Sequence, residues 1–486
     1  MKKLFVLWAV VSFTTVFMGN IYAQNLNDVL RLAYPGTGTN ARALGMGNAY
    51  IGISDDASAS AFNPAGLGLI RKIEFAGGLN YYNYSNDASL SNLVRPMVPS
   101  NSTNHSNSST NLDQVSLVFP YPTLRGSLVF GISYNSVKDY TGALKFSGYN
   151  GDPTSFMQAV LSDANLYALG LEGKNNSTPL SGRLTQNGEI NESGRLNNFT
   201  LSAAAEVSPN LFIGANLDFI SGKYEKNNDY YESDIRGYYN NTVFDPDDAN
   251  TVGLSYVYIN RLTNWDISGW DLKLGMLYQY KDIARFGATV QFPKDVTVKE
   301  DFKVYGQTAF LTGIGYKADL GSDHVEYDVI SPYVISGGGA VNYNGFIFSC
   351  EASITDYTQA KFDNANNIDA QTIADYNREI KNVFRTVFSY NLGVEYTFPQ
   401  IGLRLRGGYF MQPSAYKDDP SDFNKKYLTA GLGFLIEDAL ELDFAFAHGF
   451  WKDAIDNYTN YYGDQVSHVT QDISYNKAVL TATFRF

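Results

Sequence analysis

The chain has 486 residues, a net charge of −13 and a single cysteine, Cys350. The acidic balance argues against a nucleic-acid or polyanion partner, and one cysteine excludes a disulfide-stapled secreted scaffold. Aromatic residues reach 15% while charged residues fall to 17%, a bias that suits the interfacial girdles of a transmembrane β-barrel better than a soluble α/β enzyme.

Residues 1–23 read as a secretory signal peptide: Lys2 and Lys3 form a basic start, Leu4 to Met18 an apolar core, and Ala23 a small cleavage residue. The run is short for a transmembrane helix, and no second one follows. Beyond it, Leu26, Val29 and Leu30 fall at helical spacing, which fits either one apolar-faced turn or a frayed terminus. The stretch Gly36 to Leu69 is rich in small residues and carries Gly45, Gly47, the pair Asp55-Asp56 and the tripeptide Asn63-Pro64-Ala65. Pro64 stops any helix from running through, and glycine permits close backbone approach, so such a segment packs only when something encloses it. It is expected to form a hatch over 24–71.

From Ile73 onward apolar and polar residues alternate. Leu428, Ala430, Leu432, Phe434 and Ile436 make one face of a strand, and Leu440, Leu442, Phe444 and Phe446 make the next. The opposite faces carry charge, which suits a wet lumen and not a dry sandwich interior. Fourteen such runs lie at about 73–84, 112–121, 126–137, 195–208, 210–226, 255–280, 283–299, 328–342, 345–361, 385–398, 401–412, 424–436, 439–450 and 473–486. Short connections alternate with long ones at 85–111, 138–194, 227–254, 300–327, 362–384, 413–423 and 451–472. An all-β, fourteen-stranded antiparallel transmembrane barrel over 72–486 follows, with both termini periplasmic. The alternation sets Cys350 on the apolar face beside Phe348. A soluble β-protein is the weaker alternative.

In the loop 138–194, Asp152-Pro153 starts a helix whose apolar stripe runs Phe156, Met157, Val160, Leu161, Ala164, Tyr167 and Ala168. The loop 362–384 holds Ile373, Tyr376, Ile380 and Val383 at the same spacing. The two helices are expected either to pack on each other as a cap or to form a docking groove for a hydrophobic substrate. The Ser/Asn-rich stretch 100–110 reads as disordered, and Asp245-Pro246-Asp247-Asp248 as a solvated turn, with a divalent-cation loop as the alternative. The four histidines are scattered, so neither a metal, a cofactor nor an enzyme constellation is indicated. Inward-facing charges include Glu206, Asp218, Asp271, Lys273, Arg285, Glu351, Glu395, Arg404, Arg406, Glu441, Asp443 and Arg485. These are expected to pair and to tether the hatch, with one or two of Lys273, Arg285, Arg404 and Arg406 left to meet a substrate carboxylate.

The ordered set Leu44-Gly45-Met46-Gly47, Ala49-Tyr50, Asp55-Asp56-Ala57 and Asn63-Pro64-Ala65 resembles the hatch of the FadL-type (OmpP1/FadL/TodX) outer-membrane transporters. Gly269-Trp270, Leu274-Gly275, Arg285-Phe286-Gly287 and Arg406-Gly407-Gly408-Tyr409 extend the resemblance through the barrel. It implies a monomer in the outer membrane of a Gram-negative bacterium that moves long-chain fatty acids, hydrocarbons or other hydrophobic compounds. These would bind in the extracellular loops and lumen, pass the hatch, and leave sideways into membrane lipid through a kinked early strand. The residues set against those roles are Leu26, Val29, Leu30, Phe156, Val160, Leu161, Arg404 and Arg406 for the ligand. Asn63, Pro64, Ala65 and Gly131 form the gate, with a break in strand pairing expected near Gly131. The alternative is a non-transporting barrel on the same scaffold, a PorV-like interaction subunit of a secretion system.

Overall fold

The computed structural model describes residues 26–91, 102–173, 178–437, 439–459 and 465–486. The leader expected at 1–23 lies outside them.

Eighteen hydrogen-bonded segments build fourteen barrel strands, because four of the strands are interrupted. They are β1 (Glu74–Ser91), β2 (Thr103–Tyr121), β3 (Leu128–Asp139 and Gly142–Asn150), β4 (Leu184–Ser208), β5 (Leu211–Ser233), β6 (Leu254–Tyr280) and β7 (Ala284–Gln291 and Asp295–Phe310). There follow β8 (Lys317–Ile330 and Val334–Tyr343), β9 (Phe346–Asp356 and Lys361–Asn366), β10 (Thr386–Phe398), β11 (Leu403–Gln412), β12 (Lys425–Ile436), β13 (Leu440–Thr459) and β14 (Gln465–Arg485). Each pairs antiparallel with the next, and β14 closes on β1 from Glu74 opposite Arg485 to Ser91 opposite His468. Closure leaves no sheet edge in lipid.

The outward face carries a band of exposed apolar side chains, among them Leu79, Leu117, Phe130, Phe219, Trp270, Phe348, Leu392, Leu432 and Phe444. Cys350 is exposed on that face, in phase with Phe348. Turns at the other side of the band are tight. Asn344 and Gly345 both take positive φ, 51° and 83°, the twist that a two-residue hairpin demands.

Above the band the strands continue much farther than alternation indicates. The stretch expected to be disordered belongs, from Thr103, to β2, whose residues up to Leu112 pair with Ala88 back to Leu79 of β1. Ser, Asn and Thr satisfy a ladder whose two faces are both wet, so no apolar face marks it. The upper parts of β3 to β8, β13 and β14 lengthen in the same way. Pro293 and Pro332 interrupt β7 and β8, where a residue without an N–H cannot continue a ladder.

Inside the ring, α1 (Leu26–Ala33) is followed by α2 (Ala41–Gly45) and by 3-10 turns at Ala57–Ser60 and Pro64–Leu69. The terminus is thus a formed helix, with Leu26, Val29 and Leu30 buried. Outside the membrane, the stripe expected as one helix divides into α3 (Phe156–Val160) and α4 (Asp163–Ala168), because Ser162 turns out of the helix to cap Asn165 N. Helix α5 (Ala370–Val383) is capped by Asp369. These helices do not pack on each other. Phe156, Met157 and Leu166 enter an extracellular cluster with Phe244 and Phe310, whereas Tyr376 and Ile380 join α1 in a separate one.

Candidate functional site

The hatch is seated on the wall at backbone distance. A side chain at Gly214 of β5 would overlap Pro64 and Ala65, and one at Gly275 of β6 would overlap Asn63. Farther round, Gly393 of β10 and Gly408 of β11 receive Met46 and Gly47 in the same manner. Asn63 accepts from Ala65 N at 3.2 Å and donates to Ile51 O and, across to β6, to Met276 O, both at 3.0 Å. Pro64 occupies the first position of the turn that Asn63 caps, where a missing N–H costs nothing. A Cβ at Gly287 of β7 would likewise meet Asn63, so the Asn63-Pro64-Ala65 motif seats the hatch against β5, β6 and β7.

Charges lock the same contact. Arg42 of the hatch meets Asp55 at 2.6 Å and Glu395 of β10 at 3.2 Å, and Arg285 of β7 reaches Asp55 at 2.8 Å. Arg406 is engaged by Glu395 at 2.6 Å and by Asp443, and Arg404 by Glu441. Both arginines set against the ligand are thus paired with wall carboxylates, Arg406 with its side chain fully buried. Lys273 donates to Ala61 O at 2.6 Å, so it too holds the hatch.

The expected break at Gly131 is absent. Gly131 pairs with Val118 of β2 and Ser202 of β4, and a Cβ there would touch Leu67 at 3.4 Å, away from Asn63-Pro64-Ala65. The irregularity lies farther up β3. Val137 bulges between Ser136 and Lys138, and the strand is broken at Tyr140 and Thr141. Pairing of β2 with β3 runs only from Tyr121–Leu128 to Gln114–Asn135, and above that point the strands part. Side chains lace the seam in place of a ladder. Ser109 and Asn111 donate to Asp139 at 2.8 and 3.1 Å, Arg195 donates to Asn111 at 2.6 Å, and Thr141 donates to Ser109 at 3.1 Å. On the outer surface a polar opening is lined by Asn107, Ser109, Asn111, Asp139, Thr141 and Arg195, just above the exposed Leu112, Ile132 and Phe199.

Behind the seam, between α1 and β1, β3 and β11 to β14, lies a cleft of ≈ 340 Å³. Tyr34, Tyr84, Tyr427, Trp451 and Tyr475 give it an aromatic wall, and Leu30 opens it toward the apolar cluster around α1. Lys138 donates to Arg31 O at 2.6 Å and Tyr34 O at 3.2 Å, and Lys425 lies 5.0 Å from the Trp451 ring and 5.6 Å from that of Tyr34. Among the described residues neither lysine has an ion-pair partner. Burial raises the carboxyl of Asp419, at the mouth of the cleft, above its usual range, against a stabilising bond from Ser414. Asp139 and Thr141 line both the cleft and the outer opening.

A family model of outer membrane transport proteins (OMPP1/FadL/TodX) matches residues 191–486, more than half of the chain. The chain belongs to that family. The crystal structure of a Pseudomonas aeruginosa FadL homologue superposes with a TM-score of 0.57 at 13% identity, over 93% of this chain and 100% of the other. The P. putida toluene transporter TodX gives 0.52 at 14% identity, over 92% and 99%. At such identities the likeness is one of fold. No curated protein matches the chain.

Within this FadL/TodX-family barrel, Leu26, Val29 and Leu30 come together in the buried apolar cluster around α1, but Phe156, Val160 and Leu161 do not form one groove. Phe156 is 5% exposed under the extracellular cap and Val160 is 37% exposed outside it. Lys138 and Lys425 escaped the reading of the sequence. Asn135 faces inward opposite Asn198, and strict alternation would turn Lys138 outward. The bulge at Val137 shifts the phase and sets Lys138 opposite inward-facing Leu196. The only signal was the abrupt loss of alternation over Val137-Lys138-Asp139.

Proposed function

We propose that this outer-membrane transport protein takes up amphipathic hydrophobic compounds, long-chain fatty acids among them, and releases them sideways into the bilayer at the parted seam. A polar saccharide-bearing leaflet blocks apolar solutes, so uptake requires a protein that desolvates them. Burying a methylene contributes about 0.8 kcal/mol, so a dozen contribute about 10 kcal/mol before the costs of binding. The aromatic wall and Leu30 of α1 suit such a tail, with Leu26 and Val29 packed behind Leu30 in the apolar cluster. Lys138 and Lys425 suit its carboxylate, since a half-buried ammonium without an ion-pair partner gains from one. The hatch closes the floor below. The observation that carries the reading is that cleft and outer opening share Asp139 and Thr141, at the level where β2 and β3 no longer pair.

The test is a reversible lock. Ser109→Cys with Thr141→Cys, in a Cys350→Ser background, places two thiols where hydroxyls lie 3.1 Å apart. The oxidised protein should lose uptake of radiolabelled oleate, and a reductant should restore it. In the unlocked protein Lys138→Met should lower oleate uptake about tenfold and leave an uncharged hydrocarbon such as toluene unaffected. Full uptake by the oxidised protein would remove the lateral route. Loss of neither substrate in any variant would return weight to a secretion-partner role.

A further inference from the structure

The outer face of β5, β6 and β7 carries a feature that transport does not use. Lipid-facing side chains on β5 end at Phe219, and Tyr231 lies 12 residues beyond it. At a rise of about 3.3 Å per residue and the usual strand tilt, that is about 30 Å above the apolar band. Two outward rows cross the strands there. Tyr231 stands opposite Tyr258 and then Gln307, and Asp229 stands opposite Asn260 and then Tyr305.

The rows are ordered before any ligand arrives. The Tyr231 and Tyr258 rings stack at 4.5 Å and 28°, with Tyr305 6.4 Å from Tyr258. Tyr258 donates to Asp229 at 2.5 Å, Asn260 donates to the same oxygen at 2.9 Å and to Asn227 at 2.6 Å, and Gln307 donates to Tyr256 at 2.7 Å. Among the described residues the side-chain amide oxygens of Asn260 and Gln307 accept no hydrogen bond. Tyr231 is 39% and Tyr305 36% exposed. Cross-strand ring pairs stabilise a tall ladder by themselves, but that purpose needs neither open ring faces nor amides fixed beside them.

We propose that this patch binds the saccharide of an outer-leaflet lipid. The C–H face of a sugar ring stacks on Tyr231 or Tyr305, and its hydroxyls donate to the amide oxygens of Asn260 and Gln307. Flat preordered rings and fixed amides bind such a ligand with little ordering cost. Charge narrows the class. Asp229 is in the patch, and Glu189, paired with Lys145, stands opposite it on β4. Lys317 and Asp319 stand on the other side, and the described residues there form no cationic cluster, so the ligand is a neutral sugar and not a phosphate. Height selects the source, because the layer against the wall of an outer-membrane barrel at that level is the saccharide of its own leaflet.

The full chain in detergent would be titrated calorimetrically with a neutral oligosaccharide, the hexose portion of a lipopolysaccharide core freed of its acidic sugars and phosphate. Saturable binding is expected, weakened about tenfold or more by Tyr231→Ala with Tyr305→Ala and little changed by Tyr231→Phe. Heat-modifiable migration reports folding. Should the double variant not fold, Tyr305→Ala alone is expected to weaken binding about threefold. Absence of saturable binding by the parent overturns the proposal, as does equal affinity in the alanine variants. Binding that requires the acyl chains of intact lipid A overturns it too.

Discussion

From β5 round to β12 the hatch and the barrel wall meet backbone to backbone, whereas between β2 and β3 two strands of the same wall part and only side chains bridge them. The first contact rests on glycines that let main chain approach main chain, and on arginines shared between hatch carboxylates and strand carboxylates. The second rests on Ser109, Asn111, Asp139, Thr141 and Arg195, groups that water replaces at little cost. One wall thus has a part built to stay shut and a part built to separate. The difference lies in what fills the contact and not in how many bonds it makes.

The sharpest way to break the comparison is Arg42→Ala. Arg42 is 5% exposed and serves both Asp55 and Glu395, so its loss leaves buried carboxylates short of a partner. Stability should fall by about 3–5 kcal/mol, read as a lower denaturant midpoint for loss of heat-modifiable migration. Next comes a pair of glycines. Gly275→Ala, whose methyl overlaps Asn63, should cost about 1–3 kcal/mol in the same assay, while Gly131→Ala, which meets Leu67 at 3.4 Å, should cost about 0.5 kcal/mol or less. Equal costs would mean that the hatch is not seated by close approach. The smallest effect is expected at the seam. Arg195→Ala removes the bond to Asn111 at 2.6 Å from a solvent-exposed site, and stability should move by about 0.5 kcal/mol. A large loss there would make the seam a structural joint.

Fourteen strands were legible because lipid enforces alternation, as in Leu428 to Ile436, and a tight turn such as Asn344-Gly345 closes each hairpin. Where the wall rises out of lipid the constraint lapses. Thr103 to Asn111 carry no apolar face, and a two-sided polar ladder reads as disorder although its backbone pairs with β1. The hatch was legible through the demands of Pro64 and its capping asparagine. The cleft was not. Lys138 faces inward only because Val137 bulges, and Lys425 opens a strand whose apolar run begins three residues later. The arginines looked equally suited to a carboxylate ligand, since pairing between Arg406 and Asp443, 37 residues apart, depends on a register invisible in one dimension.

The seating of the hatch has a consequence for assembly. Asn40 N donates to Asp113 of β2 at 2.8 Å, Ala41 N donates to Thr481 of β14 at 3.0 Å, and Lys477 of β14 donates to Gly38 O. The strand that completes the ring therefore bonds the hatch along the same stretch on which it pairs with β1. A wall closed without the hatch would have to admit a chain through contacts with no room for a Cβ. Closure of the ring and seating of the hatch thus draw on the same residues of β14, so a change at Lys477 or Thr481 disturbs both at once.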